Sequence, residues 1–136
     1  MTSTNPDFLI IDDSRLDCLI SEKIIRNCYS EATYRTFTEA AAALKYIVNR
    51  PDTLNPQPTI VLLDIQMPVM NGFEFAAEFE DLAETTKSRY VIYMVSSSNN
   101  ESDLIKIRNY PSIKRFFNKP LSKEIILEIT DTSYTD

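Results

Sequence analysis

Three stretches of the chain, Phe8–Ile11, Thr59–Leu63 and Tyr90–Val95, are short, continuously apolar and rich in β-branched residues. Runs that are hydrophobic on both faces predict strands buried inside a parallel sheet. "TYRTF" (33–37) and "IKRFF" (113–117) predict weaker, more peripheral strands. Between these runs the period changes to that of a helix. Leu16, Ile20, Ile24 and Cys28 form an i+4 row, the stripe by which an amphipathic helix meets a core. "TEAAAALKYIVNR" predicts a second helix, with Thr38 as its N-cap and alanines for close packing. "GFEFAAEFEDLAE" sets Phe75, Phe79 and Leu82 on one face of a third. "ESDLIKIRNY" and "SKEIILEIT" supply two more, the last capped by Ser122. Five strands alternating with five helices predict an open, doubly wound α/β domain. The proline-rich "NRPDTLNPQP" (49–58) reads as a surface loop inside that domain, and there is no internal repeat.

Composition narrows what such a domain can do. The 136 residues are 43% hydrophobic and 25% charged, ordinary values for one globular domain with a real core. The net charge is −6 and no run of lysine or arginine stands out, which argues against a nucleic acid or an anionic membrane surface as main partner. The absence of histidine removes His-based acid catalysis, Ser-His-Asp triads and His metal sites. The one glycine, Gly72, excludes the Gly-rich phosphate loops. Chemistry must then run on carboxylates, hydroxyls and lysines. The N-terminus lacks the features of a signal peptide, and no apolar stretch approaches the roughly 20 residues of a membrane span. Cys18 and Cys28 fall in one predicted helix, about 15 Å apart along its axis, too far to bridge. Two reduced cysteines fit a cytoplasmic protein.

The chemically capable residues collect at one end of the predicted sheet. Open α/β sheets bind ligands outside the carboxyl ends of their strands. Asp12 and Asp13 follow the first strand and Asp64 the third. Ser96, Ser97 and Ser98 end the fourth, and Lys119 the fifth. Each alone has a bland reading, as helix cap, turn residue or solvated lysine. Their coincidence on one rim, with no polar groups expected at the opposite strand ends, favours a site. A hard dication with oxygen ligands, most naturally Mg²⁺, explains how Asp12, Asp13 and Asp64 tolerate one another.

With "IIDDS", "LLDIQMPVMNGFEF", "MVSSS" and "FFNKP" in this order, the chain resembles the receiver domain of two-component response regulators over almost its whole length. The resemblance implies a flavodoxin-like (βα)5 fold with a five-stranded parallel sheet in the order 2-1-3-4-5. It implies that Asp64 is the phosphoacceptor, and that Asp13 and Asp64 bind Mg²⁺ with Asp12 holding it largely through water. The Gln66 backbone carbonyl is then a further metal ligand. Ser96 occupies the family's Thr/Ser position and Lys119 its invariant lysine. Phe116 takes the aromatic switch position, and Gln66 and Ser98 lie where phosphoryl lifetime is tuned. The Lys119–Pro120 bond is expected to be cis, as receivers usually show. Two departures stand out. Serine replaces the commoner threonine at 96, and "NYPSI" replaces a small Gly-Ala turn before the last strand.

The implied function is phosphoryl transfer from a histidine kinase or histidine phosphotransfer protein onto Asp64. It would switch a surface that binds a downstream protein, or relay the phosphoryl group, in a bacterial-type system. With the receiver core at about residues 7–130 and a short tail to 136, a single-domain regulator without an output domain is expected. Two other classes compete. A haloacid-dehalogenase-type hydrolase also uses an Asp nucleophile with Mg²⁺, but needs a second Asp two residues on, where this chain has Gln66, and room for a cap domain. A degenerate receiver acting only as a binding module is disfavoured because every acidic, hydroxyl and lysine position is filled.

Overall fold

The protein's computed structural model describes residues 5–50, 57–97 and 100–135, with side chains as far as residue 131. Ser98 and most of the proline-rich loop lie outside the described residues. Along the chain run β1 (Asp7–Ile11), α1 (Arg15–Cys28), β2 (Thr33–Phe37), α2 (Ala40–Asn49), β3 (Thr59–Leu63) and α3 (Gly72–Glu80). They are followed by α4 (Glu84–Lys87), β4 (Tyr90–Ser96), α5 (Glu101–Ile107), β5 (Ile113–Asn118) and α6 (Lys123–Thr135). The strands form one sheet in the order β2-β1-β3-β4-β5, and every pairing is parallel. This is the flavodoxin-like arrangement expected from the resemblance.

Alternation along the strands divides the interior into two layers. Leu9, Ile11, Val61, Leu63, Ile92 and Met94 face α2 and α3, where Ala43, Ile47, Phe75 and Phe79 are buried. Phe8, Ile10, Ile60, Leu62, Tyr93 and Val95 face the other way, onto Cys18 and Ile25 of α1 and Ile126 and Ile129 of α6. The central strands are therefore apolar on both faces because helices cover both. α3 is secured by a capping box, with the Asn71 side chain accepting from the Glu74 N–H and the Glu74 carboxylate from the Asn71 N–H, each at 2.9 Å.

Several details depart from the sequence expectation. In the row Leu16, Ile20, Ile24 and Cys28, Leu16 is 67% and Ile20 39% exposed. The face of α1 that meets the sheet centres on Cys18 and Ile25, and of the predicted row only Ile24 and Cys28 pack against it. Thr38 is not the cap of α2; Glu39 takes that position, without a side-chain capping bond. The third predicted helix breaks at Asp81, and a separate turn, α4, follows. It breaks because Leu82 folds back on the core with its N–H on the Phe79 carbonyl. Ser122 does cap α6, its Oγ accepting from the Ile125 N–H. The "NYPSI" turn puts Tyr110 against Phe73, ring centroids 5.4 Å apart.

The far end of the sheet is not free of polar groups either. Asp7 accepts from the Thr33 and Thr59 hydroxyls and pairs with Arg50 at 3.5 Å. That cluster ties β1, β2, β3 and α2 together with its charges matched, which is what distinguishes it from the rim at the other end. No described helix is long and apolar enough to cross a membrane.

Candidate functional site

At the carboxyl rim, β1 and β3 deliver two aspartates whose backbones are fixed by their neighbours. The Asp12 N–H donates to the Phe37 carbonyl at 3.0 Å, and the Asp12 carbonyl accepts the Cys18 thiol at 3.3 Å. The Asp64 N–H donates to the Ile11 carbonyl at 2.9 Å. Its own carbonyl lies directly beneath Gly72, where a Cβ would sit 2.4 Å away. No residue with a side chain fits that contact, so the one glycine of the chain stands there for close approach rather than for an unusual φ. Ser14 begins α1, its Oγ accepting from the Asp17 N–H and its own N–H donating to Asp12 Oδ1 at 2.9 Å.

Lys119 arrives from β5. Its N–H donates to the Ser96 carbonyl at 2.9 Å, and the peptide bond to Pro120 is cis, as expected. The amine lies 2.6 Å from Asp12 Oδ2, 2.8 Å from Asp17 Oδ2 and 3.5 Å from Asp64 Oδ1. Asp12 and Asp64 are each only 6% exposed, whereas Asp13 is open to solvent. One carboxylate oxygen from each of Asp12, Asp13 and Asp64 lies within 4.8 Å of the other two. Clustered oxygens with one open side suit a small hard dication, so the residues fit the Mg²⁺ that the sequence suggested.

Electrostatics follow from this crowding. Burial, then the charge of Asp12 and more weakly that of Asp13, push the Asp64 carboxyl up to about 6, although Lys119 and the Ile65 N–H pull the other way. Burial also acts against the charged Lys119 amine. Its hydrogen bonds to Asp12 and Asp17, with the charge of Asp64, outweigh that and hold it above the ordinary lysine value. The Cys18 thiol is pushed up to about 11, by burial first and by Asp12 second.

Three other sequence candidates lie on β4, on β5 and in the loop after β3. Ser96 is buried at the end of β4, on the strand next to Asp64. Phe116 is half-buried against the layer that holds Met94, its register partner on β4. Gln66 is exposed two residues beyond Asp64 and lines a groove with Met67, Asn71 and Lys106. In sequence Asp17 looks like an ordinary first-turn helix acid, and only the fold brings it to the Lys119 amine. A cleft of about 320 Å³ opens here, with Asp12, Asp17, Asp64, Ser97 and Lys119 at its polar end and Ile20 and Leu121 among its apolar walls. A buried carboxylate beside an amine and two further carboxylates is equipped to act as a nucleophile toward a phosphoryl group.

Residues 8–131 match the model of the response regulator receiver domain. Stress response regulator protein 1 of the yeast Meyerozyma guilliermondii is 26% identical over 126 residues, covering 91% of this chain and 54% of that protein. Response regulator Rcp1 of the cyanobacterium Synechocystis sp. is 24% identical over 98 residues, covering 71% of this chain and 65% of that protein. The chain thus spans about half to two thirds of the length of these two relatives. The crystal structure of a response regulator receiver protein from Dyadobacter fermentans superposes with a TM-score of 0.82 at 32% identity, covering 94% of this chain and 97% of that one.

Proposed function

The chain belongs to the response regulator receiver domain family, and from that premise we propose that it accepts a phosphoryl group on Asp64 from a phosphorylated histidine kinase or histidine phosphotransfer protein. The observation that carries this reading is the placement of Asp64. It is a buried carboxylate at the end of β3, 3.5 Å from the Lys119 amine, with Asp12 and Asp13 oxygens within 4.8 Å.

An Asp64 oxygen attacks the phosphorus of the phosphohistidine. The P–O bond forms as the P–N bond breaks, and the imidazole departs with the bonding pair. Lys119 meets the charge on the phosphoryl oxygens and Ser96 donates to one of them; such positioned charges and donors supply most of the stabilisation in phosphoryl transfer. Asp13 and Asp64 with the Gln66 carbonyl would hold Mg²⁺ directly and Asp12 through water. When bound, the ion offsets the negative charge that the carboxylates and the phosphoryl group bring together. Water attack on phosphorus later returns the carboxylate and releases phosphate, with Gln66 and Ser98 tuning the rate.

Transfer requires the partner's histidine to enter the cleft, so its body must rest on the rim. Leu16, Leu19 and Ile20 of α1 are exposed there, and Ile20 also lines the cleft. This apolar patch suits an apolar helical face on the donor. Phosphorylation draws Ser96 toward Asp64 and lets Phe116 turn inward, changing the surface of α5, β5 and α6 that a downstream protein reads. If the acceptor passes its phosphoryl group on, the same site serves a relay. Both roles belong in the cytoplasm, and a net charge of −6 fits a protein partner rather than a nucleic acid.

Incubation with acetyl phosphate and Mg²⁺ followed by intact mass measurement tests the reading. One phosphoryl adduct is expected, absent in Asp64→Asn. An adduct of equal yield in Asp64→Asn rules out Asp64 as acceptor. Steady turnover of many phosphoesters would instead indicate a hydrolase, and no adduct on the wild type a binding module.

A further inference from the structure

We propose that Asp17 is a positioning residue that holds the Lys119 amine off the phosphoacceptor and so sets how fast Asp64 gains and loses a phosphoryl group. The proposal rests on the reading of Asp64 as acceptor.

An ammonium has three donors, and two of them go to carboxylates other than Asp64. The amine is 2.6 Å from Asp12 and 2.8 Å from Asp17, both hydrogen-bond distances, whereas Asp64 at 3.5 Å lies outside that range. The Asp17 backbone is fixed, because its N–H is bound to the Ser14 cap. Capping and the helix dipole need only a carboxylate near the start of α1; they do not require it to reach a lysine 102 residues along the chain.

The two competing carboxylates differ in how readily they let go. The Asp12 side chain is 8% exposed, and its other oxygen is occupied by the Ser14 N–H. The Asp17 side chain is 35% exposed, so water can replace the amine there at small cost. When a phosphoryl group forms on Asp64, the lysine must move toward it, and Asp17 is the restraint that yields. The restraint also sits on α1, one residue from exposed Leu16, on the helix a phosphoryl donor would cover.

The test compares wild type, Asp17→Asn and Asp17→Glu. Phosphorylation by acetyl phosphate with Mg²⁺ is timed by intact mass, and decay is followed after the donor is removed. Lys119 side-chain ¹H–¹³C resonances are recorded with and without beryllofluoride. Asp17→Asn is expected to phosphorylate about fivefold faster and to lose the group more slowly, the scale of one partly exposed ion pair. Asp17→Glu should return toward wild type, and the Lys119 resonances should move in Asp17→Asn before any phosphoryl mimic is added. Rates at or below wild type in Asp17→Asn overturn the proposal, as does a glutamate variant that behaves like the asparagine. If the wild type takes up no phosphoryl group, it is the reading of Asp64 that has failed. Unmoved Lys119 resonances in Asp17→Asn then overturn the proposed restraint, and moved ones sustain the pairing.

Discussion

Replacing Asp64 with asparagine should make the metal-free protein more stable at neutral pH, although it removes the carboxylate proposed as acceptor. In the native fold the Asp64 carboxyl is pushed from its ordinary value of 3.8 up to about 6. A carboxyl whose folded pKa lies above its unfolded one binds its proton more tightly in the native state. Its favourable contribution is complete below about pH 4 and is lost as pH rises through about 6. At 1.36 kcal/mol per pH unit, the ionised group costs the native state about 3 kcal/mol at pH 7. The side chain is only 8% exposed, so solvent screening removes little of this. Asparagine has nearly the shape of the neutral acid and no charge to desolvate.

Urea or thermal unfolding in EDTA should therefore show Asp64→Asn more stable than wild type by about 3 kcal/mol at pH 7, or about 10 °C for a domain of this size. The gap should fall to roughly half near pH 5 and vanish toward pH 3. Added Mg²⁺ should narrow it from the other side, because a ligand of the native state stabilises the wild type more than a variant lacking one carboxylate. An Asp64→Asn protein no more stable than wild type at pH 7 in EDTA would refute the reasoning. It would mean that Lys119 fully compensates the Asp64 charge.

Other substitutions test the parts around it. Gly72→Ala places a Cβ 2.4 Å from the Asp64 carbonyl oxygen; it should cost about 1–3 kcal/mol and shift the Asp64 amide resonance, and an unaffected spectrum would show that α3 can move aside. Lys119→Met leaves Asp12, Asp17 and Asp64 without their shared cation; a loss of about 3 kcal/mol in EDTA is expected, partly restored by Mg²⁺, as unfolding curves with and without the ion would read. Ser14→Ala removes the cap of α1 and should lower stability by about 1 kcal/mol, measurable by the same unfolding. With its thiol at about 11, Cys18 is roughly one part in a thousand thiolate at pH 8, so an aromatic disulfide reagent should label Cys28 first, and Cys18 only on unfolding.

Much of the fold was legible because burial leaves little choice of residue. β3 is "TIVLL", buried at every position, and such a run predicts a strand covered on both sides. The rim aspartates were legible because a carboxylate straight after a buried strand has few bland reasons to be doubled. The orientation of α1 was not. An i+4 row from Leu16 to Cys28 looks like a core stripe, but its packing against the sheet and α6 puts Cys18 and Ile25 inward and leaves Leu16 outside. The role of Asp17 was hidden for a related reason. Its partner lies 102 residues away and reaches it only because the chain turns over the rim after β5. Sequence spacing on a helix reports which residues share a face, but not which long side chain from another strand arrives there. The pairing of Arg50 with Asp7 is hidden likewise, since it depends on the end of α2 lying beside the start of β1.

The site itself is a conflict held in place by backbone. Asp12, Asp17 and Asp64 gather around the Lys119 amine, and Asp13 adds a fourth carboxylate beside Asp12 and Asp64. Free side chains would separate to relieve that repulsion, and the fold prevents it. Both Asp12 and Asp64 have their N–H groups committed to carbonyls of neighbouring strands. The Asp12 carbonyl is held by Cys18, and the Asp64 carbonyl is covered by Gly72 at a distance only glycine permits. The energy to hold the charges together comes from the apolar layers beneath, where Ile11, Leu63 and Met94 are essentially inaccessible to water. What the fold leaves unbalanced is negative charge around Asp64, and a bound dication would relieve that imbalance. With Asp64 as the proposed acceptor, stability and function pull in opposite directions there, and the substitution expected to end phosphorylation is the one that should strengthen the fold.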